Sequence, residues 1–167
     1  MKKQSADADR VQENMIETYS NMVYRLAYSM VKSHYDADDI HQEVFLKYLK
    51  KRPLFQNREN EKAWFLRVTI NCCKNHWKSA WVRKMTGFTE GNEVPGFELE
   101  TSELELVEMV KKLPEKYRLV IHLFYYEDLP VEAVSRVTGI KPSTVRTQLT
   151  RAREMLKKRL EDDYVSE

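Results

Sequence analysis

Apolar residues recur at helical spacing along almost the whole chain. Met22, Val23, Leu26, Ala27, Met30 and Val31 share one face of a first helix. Asp36 then reads as an N-cap, with Asp39 at the third helical position, for a second helix reaching about Lys51. On that helix Ala37, Ile40, Val44 and Tyr48 form the core side. Pro53 closes it, and a loop, Arg52–Glu59, leads to a long third helix from near Asn60 to about Ser79. Leu66, Ile70, Cys73 and Trp77 line one side of the third helix. Ser102 and Glu105 make a capping box for a helix ending before Pro114. Glu115 to Tyr126 is almost wholly apolar at its centre (Leu119, Val120, Ile121, Leu123, Phe124) and is expected to be the core of its unit.

Pro130–Leu156 reads as helix, tight turn, helix. Val134, Ser135 and Val137 face inward, with Ser135 as the small residue at the crossing. Gly139 suits the left-handed backbone of the turn, and Pro142 suits a first helical position. Val145, Leu149, Ala152 and Leu156 make one apolar stripe, opposite Ser143, Thr147, Thr150 and Glu154. No strand or hairpin signal and no internal repeat is present. The expected fold is all-α, with two small helical domains: an N-terminal bundle over about 10–79 and a C-terminal helix-turn-helix domain over about 102–162. Three of the four glycines, with Pro95, fall in the stretch 80–101, which is expected to be a flexible linker.

Composition changes this picture in one respect. The formal net charge is only +2, but it is unevenly spread. Lys47–Lys84 carries 11 Lys/Arg against two Glu, and Lys141–Arg159 seven against one. Thr86–Thr101 between them holds four Glu and no cation. Two basic blocks around an acidic spacer point to two separate contacts with a polyanion. Cys72 and Cys73 are adjacent, so a structural disulfide is not expected, and no second Cys/His pair is spaced to join Cys72 and His76 in a zinc site. The chain shows no signal peptide, and no apolar run approaches the roughly 18 residues of a membrane span. A cytosolic or nucleoid-associated protein is expected, with no membrane insertion. No sensory domain is expected after Glu167.

Three surfaces carry candidate chemistry. On the second helix Asp39, Gln42, Glu43 and Leu46 place an apolar anchor inside a polar rim, a protein-binding pattern. Alternatively, Asp36, Asp38 and Asp39 simply complement the helix dipole. On the third helix Arg67, Asn71, Lys74 and Lys78 form a stripe of donors, with Trp64, Val68 and Asn75 beside it. Cations with an amide and an aromatic suit a phosphate backbone and unpaired bases, although Trp64 itself is expected in the core. The preceding loop, with Phe55, Gln56, Asn57 and Arg58, offers room for an extruded base. On the last helix Ser143, Thr144, Arg146, Thr147, Thr150 and Arg151 suit the major groove, where arginine pairs with guanine and threonine methyls meet thymine methyls.

These features together resemble a bacterial RNA polymerase sigma factor of the extracytoplasmic-function group, over about residues 15–160. DADDIHQEVFLKYLKK is similar to the segment such factors dock on the clamp helices of the polymerase β′ subunit. AWFLRVTINCCKNHWKS is similar to the segment that melts and reads the −10 element. The stretch from Leu113 to Leu160 resembles the −35-binding domain. The resemblance implies that Asp39, Gln42, Glu43 and Leu46 contact polymerase. It places Arg67, Asn71, Asn75 and Lys78 near −10 DNA, and Arg146, Thr147, Thr150 and Arg151 at −35 DNA; from the residues themselves, Asn57, Arg58 and Lys74 are expected to join the −10 set, and Ser143 and Thr144 the −35 set. The family usually has Asp where Asn75 stands and Arg where Lys78 stands. The implied partners are core polymerase (β′ clamp helices and β flap), promoter DNA and an anti-sigma factor, which could hold the protein at a membrane. No cofactor is implied. With no nucleophile–base pair, phosphate-cradling loop or metal cluster in the sequence, no enzymatic activity is expected.

From the residues alone two other functions stay open. One is a helix-turn-helix regulator whose N-terminal helices sense a ligand or dimerise. The other is a protein that sequesters polymerase. Neither gives the Lys47–Lys84 block a use.

Overall fold

The computed structural model describes residues 2–85 and 108–165. The chain divides into two compact units, Met1–Asn92 and Glu93–Glu167. Among the described residues there is no strand. The all-α expectation holds.

In the first unit α1 (Lys2–Val31), α2 (His34–Lys51) and α3 (Arg58–Met85) pack pairwise. The second helix starts earlier than expected. Its N-cap is Ser33, not Asp36: Ser33 has extended backbone (φ −137°, ψ 126°) and its side chain accepts the Asp36 N–H. Asp36 is already in the first turn, where its charge suits the helix dipole and its carboxylate reaches His76 Nε2 on α3 at 3.3 Å. Arg52 ends α2 in the left-handed region, φ 43°, with its N–H on Tyr48 O. The helix α3 continues beyond Ser79 to Met85, into the stretch expected to be linker.

The core of this unit centres on Phe65, which is fully buried. Its ring lies 4.6 Å from Tyr19, 5.3 Å from Tyr48 and 5.6 Å from Phe45, so one residue of α3 joins α1 and α2. Burying a ring of this size contributes about 1.5–3 kcal/mol, before pair geometry adds to it. Polar groups near this core are paired. Thr69 Oγ1 donates to Phe65 O at 2.6 Å, and Tyr19 Oη donates to Glu61 at 2.7 Å.

In the second unit a helical turn over 108–111 leads to α4 (Glu115–Ile121). The expected capping box at Ser102 and Glu105 lies outside the described residues. Two arginines close the 108–111 turn. Arg118 donates to Leu113 O, and Arg159 donates to Met109 O and Lys112 O, satisfying carbonyls that a helix end leaves without partners. Past Ile121 the backbone widens into a π-turn, His122–Tyr126, in which Glu127 N–H bonds His122 O. The same two residues meet through their side chains at 3.1 Å, both buried. Leu119, Val120, Ile121 and Leu123 are buried as expected, while Phe124 is only half-buried.

The helix α5 (Val131–Thr138) then turns at Gly139, φ 76°, into α6 (Pro142–Val165). Ser135 Oγ donates to Ile140 O across this turn, so the small residue also locks the corner. Val134 and Val137 of α5 meet Val145, Leu149 and Ala152 of α6 in the core.

Candidate functional site

The three surfaces lie on three different helices, and in each the buried stripe fixes which side chains face out. On α2, burial of Ala37, Ile40, Val44 and Tyr48 turns Asp39, Gln42, Glu43 and Leu46 to solvent. Leu46 is 58 % exposed, a large apolar side chain with no core to enter. Tyr35 at 74 % and Leu49 at 37 % stand on the same face, one step beyond each end of the expected set. Glu43 pairs with Lys47 at 3.2 Å, and Lys47 Nζ also donates to Cys72 Sγ on α3 at 3.6 Å. The rim of the α2 face is thereby tied to the third helix.

On α3, Leu66, Ile70 and Cys73 are buried, and Arg67, Asn71, Lys74, Asn75 and Lys78 are exposed. Trp77 is only half-buried. Trp64 packs edge-on against Tyr48, Phe55 and Phe65, so it belongs to the aromatic core rather than to the donor stripe. An aromatic that the sequence pattern did not select stands out instead. Trp81 is 65 % exposed, about one turn beyond Lys78 on the prolonged α3, where a base could stack on it. In the loop before α3, Phe55 leans on Trp64, while Gln56, Asn57 and Arg58 are exposed. Asn57 also serves the fold, since its Oδ1 accepts the Asn60 N–H at 2.9 Å.

On α6, Ser143, Thr144, Arg146, Thr147, Thr150 and Arg151 are all exposed. Arg146, Thr147, Thr150, Arg151 and Glu154 line one shallow concavity. The Thr147 and Thr150 hydroxyls donate to Ser143 O and Arg146 O, each at 3.0 Å within the helix. Their protons are thereby engaged, leaving the methyls and oxygen lone pairs free for outside contacts. Arg146 is held by Glu132 of α5 at 3.2 Å, a contact across the turn that no local sequence pattern announces.

The surfaces thus comprise an acidic-apolar face, a cationic face with an aromatic neighbour, and a grooved helix behind a tight turn. Such a set suits a protein that joins a protein partner to nucleic acid at two places. Residues 15–83 match the Sigma-70 region 2 family, and residues 103–156 match Sigma-70, region 4. The chain is 33 % identical over 144 residues to RNA polymerase sigma factor SigV of Bacillus subtilis, covering 86 % of this chain and 87 % of that protein. It is 27 % identical over 165 residues to ECF RNA polymerase sigma factor SigW of the same organism, covering 89 % and 88 %. In fold it is similar to the sigma factor RpoE of Bartonella quintana, solved with the anti-sigma factor NepR, at TM-score 0.76 and 19 % identity over 89 % of this chain and 96 % of that one. CnrH, solved with the cytosolic domain of CnrY, gives TM-score 0.68 and 20 % identity over 93 % and 90 %.

The chain belongs to the sigma-70 family of RNA polymerase sigma factors, in its ECF group. It directs promoter recognition by RNA polymerase and is not an enzyme. The regulator with an N-terminal sensor domain is set aside, because the first unit matches region 2. No helix among the described residues is long and apolar enough to cross a membrane.

Proposed function

We propose a division of labour among the three faces. Asp39, Gln42, Glu43 and Leu46 of α2 dock on the β′ clamp helices of core polymerase. Arg67, Asn71, Lys74, Asn75 and Lys78 of α3, with Asn57 and Arg58 at its start, follow the −10 DNA and hold its unpaired bases. Ser143, Thr144, Arg146, Thr147, Thr150 and Arg151 of α6 enter the major groove at −35, while the second unit rests on the β flap. One observation carries this: every one of these side chains is exposed, and all but the loop residue Asn57 stand on helices whose opposite sides are buried.

Each basic face alone binds DNA weakly and salt-sensitively. Mounted together on polymerase, the two engage two promoter elements at high effective concentration. Strand opening then needs no bond chemistry, only capture of bases once unstacked. The chain acts in the cytoplasm, and an anti-sigma factor masks the same faces, in some states at the membrane. A protein of the same fold, the sigma factor RpoE of Bartonella quintana, solved with the anti-sigma factor NepR, supports the existence of such a partner.

Run-off transcription with purified core polymerase on a genomic library tests this. Promoter-specific starts that appear only when the protein is added are expected. No specific start on any template would overturn it.

A further inference from the structure

Glu132 and Arg146 stand on opposite sides of the α5–α6 turn, and their side chains meet at 3.2 Å. Both are largely in water, at 62 % and 59 % exposure. An ion pair so exposed adds little to stability, because solvent screens it and two long side chains must be ordered. Its effect is geometric. One guanidinium nitrogen is fixed, so the planar fork of Arg146 loses the rotation it would otherwise have, and its remaining N–H groups keep a set direction. Arg146 itself lines the concavity formed with Thr147, Thr150, Arg151 and Glu154. Bidentate pairing to guanine O6 and N7 requires such a fork to be aimed before contact.

We propose that Glu132 is a positioning residue for base recognition: it aims Arg146 at a guanine in the −35 major groove. The inference rests on the assignment of α6 to −35 DNA. A carboxylate this near a groove repels phosphate, so Glu132 lowers affinity for every duplex while sharpening the choice among them.

The test uses the full chain bound to core polymerase and a promoter panel with each −35 base pair changed to the other three. Arg146→Ala is expected to lose roughly five-fold or more discrimination at one position, a guanine. Glu132→Ala is expected to lose discrimination at that same position, with equal or tighter binding to the altered sites. Glu132→Gln, which keeps an acceptor oxygen at the same reach, is expected to restore part of it. The double variant should be no less selective than Arg146→Ala alone, since the two act as one unit. Melting temperatures measured alongside separate a purely structural effect, which would weaken all sites alike and leave selectivity unchanged. If Arg146→Ala costs selectivity but Glu132→Ala does not, the positioning role falls and the −35 assignment stands. If Arg146→Ala costs none at any position, base readout by Arg146 falls, and the role of Glu132 with it.

Discussion

Asn57 Oδ1 accepts the backbone N–H of Asn60 at 2.9 Å, and this bond caps α3. The residue is exposed, so its position alone suits both a cap and a DNA contact. The two roles separate by substitution. Asn57→Ala is expected to lower stability by about 1 kcal/mol through loss of the cap. Asn57→Asp keeps the acceptor and adds a charge that the helix N-terminus favours, so stability should hold. Urea unfolding of both variants checks this. A stable Asn57→Asp that opens promoters poorly would add a DNA role, because the new charge repels phosphate. An Asn57→Ala as stable as the parent would mean that the cap contributes nothing.

Gly139 offers a second test, of the turn that sets α6 against α5. Its φ of 76° is left-handed, and a Cβ built there meets no heavy atom within 4 Å. Space is therefore not the obstacle, and the cost of a side chain is the backbone alone. Gly139→Ala should lose about 1–2 kcal/mol. Gly139→Asn should lose less, since Asn adopts this conformation more readily, and Gly139→Val more. Equal losses for all three, in thermal or urea unfolding, would show that the site is limited by something other than φ.

What the sequence revealed, and what it hid, follows from the range of the interactions. Stripes such as Ile40, Val44 and Tyr48, or Val145, Leu149 and Ala152, are local and periodic, and all are buried as their spacing implies. The left-handed Gly139 was legible for the same reason. The N-terminus of α2 lies three residues before the expected one because Ser33 and Asp36 are both good caps. Ser33 serves, accepting the Asp36 N–H, while the Asp36 carboxylate reaches His76, forty residues further on. The π-turn at His122–Tyr126 shifts the backbone hydrogen-bond register without altering the apolar pattern, so periodicity cannot register it. Glu132 and Arg146 pair across a turn, and Lys47 reaches Cys72 across two helices; both are products of packing. The exposed faces could be read as the complement of the buried ones, whereas their internal restraints could not.

The α2 face allows a clean separation of binding from folding. Asp39 and Leu46 are exposed, so replacing both with alanine should move stability by no more than about 0.5 kcal/mol per site. Binding to core polymerase, measured by fluorescence anisotropy, should be abolished, because the apolar anchor and a rim charge are lost together. Unchanged affinity in a normally folded double variant would move the polymerase contact to another face.

Cys72 yields a prediction in pH. Its side chain is fully buried, and burial raises its thiol from 9.0 to about 11, with the Glu43 carboxylate adding to the rise and Lys47 opposing it. The folded protein therefore holds this proton more tightly than the unfolded chain does. The resulting stability is whole below about pH 9 and is lost as pH climbs through 11. Burial also raises Tyr19, Tyr24 and Tyr48, so they weaken the fold in the same alkaline direction. At about pH 7.5 a thiol shifted this far is ionised in roughly one molecule in three thousand. Iodoacetamide should thus label Cys72 in native protein far more slowly than a solvent-exposed thiol, and at the ordinary rate in urea. Stability measured between pH 8 and 11 should fall less steeply in Cys72→Ala than in the parent, even if the variant starts lower because of the cavity it creates. Rapid labelling of native Cys72, or identical pH slopes in the two proteins, would show that the thiol is not held neutral by the α2–α3 interface.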